Sequence, residues 1–471
     1  MIPSINAKII ATIGPANRDF EKITAMIRAG ATIFRLNCSH GTHAEFKKII
    51  SNIRNAEKET KTTITIIQDL QGPKIRLNRF KAPVKIDAGS EFTLGLCKDV
   101  NDNPDEICVA YSSLSNETCA GQRIFIDDGK IELKVKSING TKIVTEVKKG
   151  GILNPRKGVN LPDSFLTLPS LTDQDVEDLK FGVKHDVDYI ALSFVRSRKD
   201  IMELKDHLEK LKSSIGVIAK IEKPEALKDL RGIMEVCDAV LVARGDLGVE
   251  IELERVPVVQ KEILNLGKST KTPIIVATQM LETMTKSTVP TRAEVTDVFQ
   301  AVKDGADVVM LSEETAIGDY PIEAVKVMKK IIKESERTVD QKSRTIELSA
   351  DTDKSIASMA SVITDKINAK FICCFTSSGW TAKLISKTSI KHPILAFVQQ
   401  KSLARKINLY RGVTPVNMNT DINDFDSMFE ILNKKLKVEK LAEKGNKIVV
   451  VAGSPFGHAG TTNLMKVHTI Y

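Results

Sequence analysis

The sequence predicts a (β/α)8 TIM barrel with a small β-barrel lid domain inserted into it and an α/β domain at the C-terminal end. Three observations carry this. Short apolar runs rich in Ile, Val and Ala alternate with helical patterns, three before an interruption and five after it. The interruption, residues 74–165, replaces that rhythm with hairpin signals. A polar stretch, Gln341 to Lys354, precedes a second strand–helix alternation.

Taken in order, Ala7–Ile13 reads as the first strand, closed by Gly14-Pro15. A helix over Asp19–Ala29 stops at Gly30. Ala31–Asn37 is the second strand, His43–Glu59 a helix and Thr62–Leu70 the third strand. In the insert, Asp128-Gly129 parts Arg123–Asp127 from Lys130–Lys136. Asn139-Gly140 parts Lys130–Ile138 from Thr141–Lys148. Barrel strands resume at Tyr189–Val195, Val217–Ile221, Ala239–Ala243, Pro273–Ala277 and Asp307–Leu311, and a helix follows over Pro321–Ser335. Residues 1–73 and 166–340 together approach the usual barrel length of roughly 250. The domain over 345–471 shows strands at Lys370–Thr376, Ile394–Val398, Thr414–Asn417 and Lys447–Ala452. Helices Trp380–Lys387, Ser402–Tyr410 and Asp424–Lys437 lie between them.

Composition narrows the function. Hydrophobic residues make up 42% of the chain and charged ones 27%, the profile of a soluble globular protein. A net charge of +9 over 471 residues is mild and suits an anionic substrate. Only 5% of residues are aromatic and no basic stripe interleaves them, which points away from nucleic acid. No run of about 18 apolar residues suggests a membrane span, and the first residues show no signal peptide. Seven cysteines, none in a C-x-x-C pair, point to a reducing, cytoplasmic compartment without structural zinc.

In such barrels the chemistry gathers at the C-terminal strand ends. The stretch Ile215–Pro224 is central. Strand alternation puts Lys220 and Glu222 on one side of a buried run. A structural salt bridge and a ligand-gripping pair both fit these two residues. The second strand offers Arg35, Asn37 and Ser39. The third offers Asp69, followed by Gly72-Pro73-Lys74-Ile75-Arg76. The other ends bring Ser193 and Arg196; Arg244, Gly245 and Asp246; Thr278 and Gln279; Ser312, Glu313 and Glu314. Glu222 and Asp246 are hard carboxylates suited to Mg²⁺ or Mn²⁺. Arg35, Arg76 and Lys220 can hold phosphate oxygens. Metal and cations around one pocket are what phosphoryl transfer needs. The G-D-L-G turn from Gly245 can offer backbone N–H groups to a carboxylate. Gly267-Lys268-Ser269 lacks the earlier P-loop glycine, since position 262 is Glu, and reads as a helix end. A barrel lyase using Glu222 and Asp246, and a silent scaffold, are the rival readings.

The segments K-I-I-A-T-I-G-P, F-R-L-N-C-S-H-G, D-L-Q-G-P-K-I-R, K-G-V-N-L-P, A-L-S-F-V-R, A-K-I-E-K-P, V-A-R-G-D-L-G-V-E, A-T-Q-M-L-E-T-M and P-T-R-A-E-V-T-D-V run in order along the chain. Together they resemble pyruvate kinase over nearly its full length. The resemblance implies transfer of the phosphoryl group of phosphoenolpyruvate to ADP, the last step of glycolysis. It places the divalent metal, Mg²⁺ or Mn²⁺, on Glu222 and Asp246. Lys220 would neutralise the moving phosphoryl group and Arg35 would hold substrate phosphate. Gly245, Asp246, Thr278 and Ser193 would face the substrate. Arg76, Asn37, Lys157 and Asp127 would face the nucleotide. Asn37, Ser39, Asp69 and the Leu70 carbonyl match the family's monovalent-cation site. Many members carry Glu where this chain has Lys74. The segment therefore resembles the potassium-independent subgroup, with Lys74 as charge substitute and K⁺ not required. Thr376, Ser377, Ser378, Gly379 and Thr381 resemble a phosphate loop for a sugar-phosphate or nucleotide effector. Trp380 stands where many relatives have Arg, and Gly453–Asn463 would form the other wall. A cytoplasmic homotetramer is the family expectation.

Overall fold

The computed structural model describes residues 4–101, 105–164, 166–338, 349–388, 391–418, 424–454 and 461–471. The barrel strands are β1 (Lys8–Ile13), β2 (Ile33–Asn37), β3 (Thr65–Asp69), β4 (Tyr189–Leu192), β5 (Gly216–Ile221), β6 (Ala239–Ala243), β7 (Ile274–Ala277) and β8 (Val308–Leu311). Each pairs in parallel with its chain neighbours, and β1 pairs with β8, so the sheet closes. Both faces are covered, which is why these strands are nearly unbroken runs of Ile, Val and Ala. Capping boxes at Thr42/Glu45, Thr172/Asp175, Ser197/Asp200 and Thr291/Glu294 start four of the surrounding helices. Gly267-Lys268-Ser269 ends the helix Val256–Ser269, as expected.

Two barrel-strand ends depart from the sequence reading by more than about two residues. β3 starts at Thr65 rather than Thr62. β4 stops at Leu192 because Phe194 takes a φ of 54° and turns the chain.

The insert between β3 and β4 contains a six-stranded and a two-stranded sheet. Arg123–Ile126 and Ile131–Asn139 form the first predicted hairpin. Asp127, Asp128 and Gly129 all take positive φ in its turn. In the second hairpin Asn139 pairs with Lys142, so the turn is Gly140-Thr141, one residue later than the Asn-Gly signal. The all-β reading misses a short helix, Leu114–Glu117.

The C-terminal sheet has five strands. In spatial order they are Val413–Asn417, Ile394–Val398, Ile372–Phe375, Lys447–Gly453 and Thr462–Thr469. The last is antiparallel and was not predicted. Its sequence, TNLMKVHT, is mostly polar and lies at the sheet edge. Of the expected linker, 341–348 lies outside the described residues, and Thr352 already begins a helix. Of the expected loop wall, 455–460 lies outside them as well. Cys373 and Cys374 are buried free thiols. Among the described residues no helix is long and apolar enough to cross a membrane.

The C-terminal domain closes the barrel floor. Leu409 is fully buried among Ile10, Ile33, Ile67 and Tyr189. Asn408 Nδ2 donates to the Thr32 and Thr63 carbonyls at 3.0 and 3.2 Å. Lys8 Nζ donates to the Val413 carbonyl at 2.6 Å. The Lys387 ammonium, also buried, lies 2.6 Å from Asp307 Oδ2 and donates to the Thr272 carbonyl at 2.7 Å. Stranding one member of such a pair is costly. Lys387→Met is expected to lose about 3–5 kcal/mol in equilibrium urea unfolding. A loss under about 1 kcal/mol, the value of a solvated pair, would contradict that burial.

Candidate active site

Lys220 lies near the C-terminal end of β5, with the packed Val-Ile-Ala run before it. Parity brings Glu222 to the same side, and Lys220 Nζ is 2.9 Å from Glu222 Oε1. Asp69, the last residue of β3, lies 3.2 Å from the same ammonium through Oδ1. Just past the end of the strand between them, Ser193 Oγ accepts from Lys220 Nζ at 2.7 Å and donates to the Leu70 carbonyl at 2.7 Å. Arg35 Nε donates to Asp69 Oδ2 at 2.6 Å, and its Nη1 reaches Thr12 Oγ1 at 3.3 Å. Glu222 Oε2 accepts the Phe194 N–H at 2.8 Å, which explains the left-handed turn after β4. The Lys220–Glu222 pair is thus one link in a chain from Arg35 through Asp69 to Glu222.

The charges support one another. Burial alone would raise the Asp69 pKa, but Lys220 and Arg35 outweigh it and hold the carboxyl below its ordinary value. Burial also works against the Lys220 charge, but Asp69 and Glu222 outweigh it and hold this pKa above the ordinary value. Glu222 differs. Burial pushes its pKa up against the pull of Lys220, and the nearby Asp246 charge adds to the rise. A bound cation would relieve that strain.

β6 runs directly into the helix Arg244–Glu250, where the sequence suggested a free turn. Asp246 lies in its first turn. The Gly245 N–H is already engaged, donating to Thr278 Oγ1 at 2.8 Å. Thr278 and Gln279 take φ of 67° and 53°, an uncommon conformation for a β-branched residue. Arg244 braces this turn. Its Nη2 donates to the Thr278 carbonyl at 2.7 Å, its Nε to the Ala277 carbonyl at 3.2 Å, and its Nη1 to Asp297 at 2.6 Å. The sequence offered Arg244 without a role, because spacing does not mark an Arg that serves turn carbonyls.

Glu222 and Asp246 are the donors available to a divalent ion. Among the described residues no three His, Cys, Asp or Glu side chains converge into a ready cage. Two hard carboxylates fit an Mg²⁺-like ion, which keeps waters and takes its remaining oxygens from substrate. A cleft of about 700 Å³ opens over this rim, with Asp246, Thr278 and Ser312 on the barrel side and Lys74 and Asp128 on the insert side.

The remaining candidates fall into three groups. Asp127 and Lys157 meet in the insert at 2.8 Å, and Arg76 Nη1 donates to the Arg156 carbonyl at 3.2 Å. Asn37 Oδ1 accepts the Ser39 N–H at 3.2 Å. Lys74 is exposed, with its Cε 3.6 Å from where a Cβ on Gly158 would stand. Arg196 spends its guanidinium on the Leu166 and Leu168 carbonyls, both at 2.7 Å. In the C-terminal domain Thr376 Oγ1 accepts the Gly379 N–H at 2.9 Å, and Ser377 and Ser378 are exposed. Thr381 is buried, its hydroxyl 2.7 Å from Thr462 Oγ1, so it does not gather with those serines. Trp380 Nε1 donates to Asp353 at 2.7 Å.

Comparison with known proteins gives a consistent result. The pyruvate kinase barrel-domain family matches residues 5–325, and the pyruvate kinase alpha/beta-domain family matches residues 354–468. A pyruvate kinase of Thermotoga maritima is 40% identical over 464 residues, covering 98% of this chain and 99% of the relative. One of Geobacillus stearothermophilus is 38% identical, covering 98% of this chain and 80% of the relative. The crystal structure of a pyruvate kinase from Cryptosporidium parvum superposes with a TM-score of 0.92 at 33% identity, covering 99% of this chain and 97% of that one. With both domains matched in order and a buried Lys–carboxylate rim at the barrel mouth, the chain belongs to the pyruvate kinase family.

Proposed function

We propose that Lys220, Arg35, Glu222, Asp246 and Thr278 carry the transfer of a phosphoryl group from phosphoenolpyruvate to ADP. The observation behind this assignment is the Lys220 ammonium, buried and cationic between Asp69 and Glu222. Glu222 and Asp246 would hold a divalent metal, Mg²⁺ or Mn²⁺, which would supply fixed positive charge to the phosphoryl oxygens. Lys220 neutralises the group in transit, and Arg35 holds it before transfer. Both cations lean on Asp69 and are oriented before substrate arrives, so little reorganisation accompanies the reaction. Ser193 aims the Lys220 ammonium. The Gly245 and Asp246 backbone and Thr278 hold the substrate carboxylate or help protonate the enolate, the Gly245 N–H exchanging its Thr278 partner for the substrate. Arg76, Asn37, Lys157 and Asp127 serve the nucleotide from the insert and the β2 end.

Potassium independence belongs to the same reading. Asp69 and the Leu70 carbonyl, half of the family's monovalent site, already have Arg35, Lys220 and Ser193 as partners. Lys74 adds a positive charge at the cleft. The reading extends to domain limits at 1–73, 74–165, 166–340 and 345–471, to a cytoplasmic homotetramer, and to an effector at Thr376–Gly379.

A coupled assay of ADP-dependent pyruvate formation tests the roles. Lys220→Met is expected to keep the fold by circular dichroism and to lose at least ~10²-fold in kcat, the scale of one lost transition-state contact. Near-normal turnover would remove Lys220 from the mechanism. The parent enzyme is expected to reach full rate in sodium or tetramethylammonium buffers, and a strict need for potassium would refute the Lys74 substitution. Trp380 is the chain's one tryptophan and sits at the effector loop. Its fluorescence should shift when a sugar phosphate or nucleotide effector binds. A flat titration across such compounds, with unchanged kinetics, would refute the loop assignment.

A further inference from the structure

We infer that Glu250 is a positioning residue that latches the insert onto the barrel and thereby sets where the nucleotide-facing residues stand. The inference rests on the nucleotide role proposed for Lys157. Glu250 ends the helix that carries Asp246, and its side chain is 2% exposed. Its Oε1 accepts from Lys223 Nζ at 2.6 Å and from Asn160 Nδ2 at 2.8 Å. Its Oε2 is buried with no hydrogen-bond partner among the described residues. Asn160 belongs to the insert's closing strand, Val159–Asn160, which pairs with Phe125–Ile126. Lys157 lies three residues earlier on the same segment. Lys223 directly follows Glu222, and its ammonium stands 6.0 Å from the ring centre of Phe194. One carboxylate thus joins the insert, the loop after β5 and the helix after β6. The last two carry Glu222 and Asp246.

The physics makes the joint directional. A carboxylate this buried needs charge-assisted donors. Lys223 comes from the barrel and stays with Glu250 wherever the insert goes. Asn160 comes from the insert and is present only while the insert lies against the barrel. Moving the insert away leaves Glu250 with one donor fewer, so the bond favours the seated position. That position holds the segment carrying Lys157, which pairs with Asp127 next to the cleft-lining Asp128, against the barrel. A packing contact between the two domains would give no such dependence on which side carries the amide and which the carboxylate.

Asn160→Asp tests this while leaving Lys223 and Glu250 themselves unaltered. It sets a second carboxylate against Glu250. The double variant Asn160→Asp with Glu250→Gln restores an amide–carboxylate bond with the roles exchanged. Asn160→Asp is expected to raise KM for ADP about tenfold or more, the scale of one hydrogen bond to a charged group. KM for phosphoenolpyruvate should change less than about twofold on that scale. Amide hydrogen exchange of the nucleotide-free protein should speed up across the insert, and the double variant should reverse both effects. Unchanged exchange and unchanged KM for ADP in Asn160→Asp would overturn the latch. Failure of the double variant to recover either one would reduce it to generic packing and overturn it too. Lys157→Met separates the two levels. If it raises KM for ADP and Asn160→Asp does not, the latch is wrong. If neither does while exchange still accelerates, the nucleotide role of the insert is wrong and the proposal falls with it.

Discussion

Keeping one ammonium charged inside a barrel mouth is the constraint around which the rest of this structure is arranged. Lys220 is nearly out of water, and burial opposes its charge. Asp69 and Glu222 supply the compensating negative charge, and Arg35 in turn balances Asp69. These groups stand on β2, β3 and β5, with Ser193 from the end of β4 bridging the gap. No local segment could assemble that set. Only closure of the sheet brings the strand ends into one ring.

The two ends of the barrel meet different demands. At the floor, side chains from the C-terminal domain hydrogen-bond strand starts and adjoining turns, and the barrel's Lys8 returns a bond to the Val413 carbonyl. At the mouth, Arg244 holds two left-handed residues in place through turn carbonyls and Asp297. A strained turn of this kind persists only where its surroundings over-determine it. The floor therefore supplies rigidity, and the mouth uses it to hold Thr278 in an otherwise unfavourable conformation.

Much of this was legible in the chain. Apolar runs ending in polar residues located the strands, and alternation alone placed Lys220 beside Glu222. Asp-Gly at 128–129 located one hairpin turn. What escaped was whatever depends on distant partners. Asn160 and Glu250 are 90 residues apart, and nothing in either neighbourhood hints at the other. Arg196 shares the strand-end position of true rim residues, yet the chain returning from the insert captures it. Thr381 looked like part of a phosphate loop, but helix geometry turned its hydroxyl inward to Thr462. The strand Thr462–Thr469 was hidden because an edge strand with one wet face lacks the continuous apolar run of its neighbours.

Leu409 has a consequence for how such chains can diverge. A gene fragment stopping before the C-terminal domain would encode an open-bottomed shell, with Ile10, Ile33 and Ile67 facing solvent where Leu409 now sits. The domain is a cork as well as a neighbour. Its inner surface is tied to the bore of the barrel it stoppers, while its outer surface carries no such obligation. Changes of ligand response can accumulate on that outer surface, but the cassette cannot be lost or traded for an unrelated one without breaching the vessel.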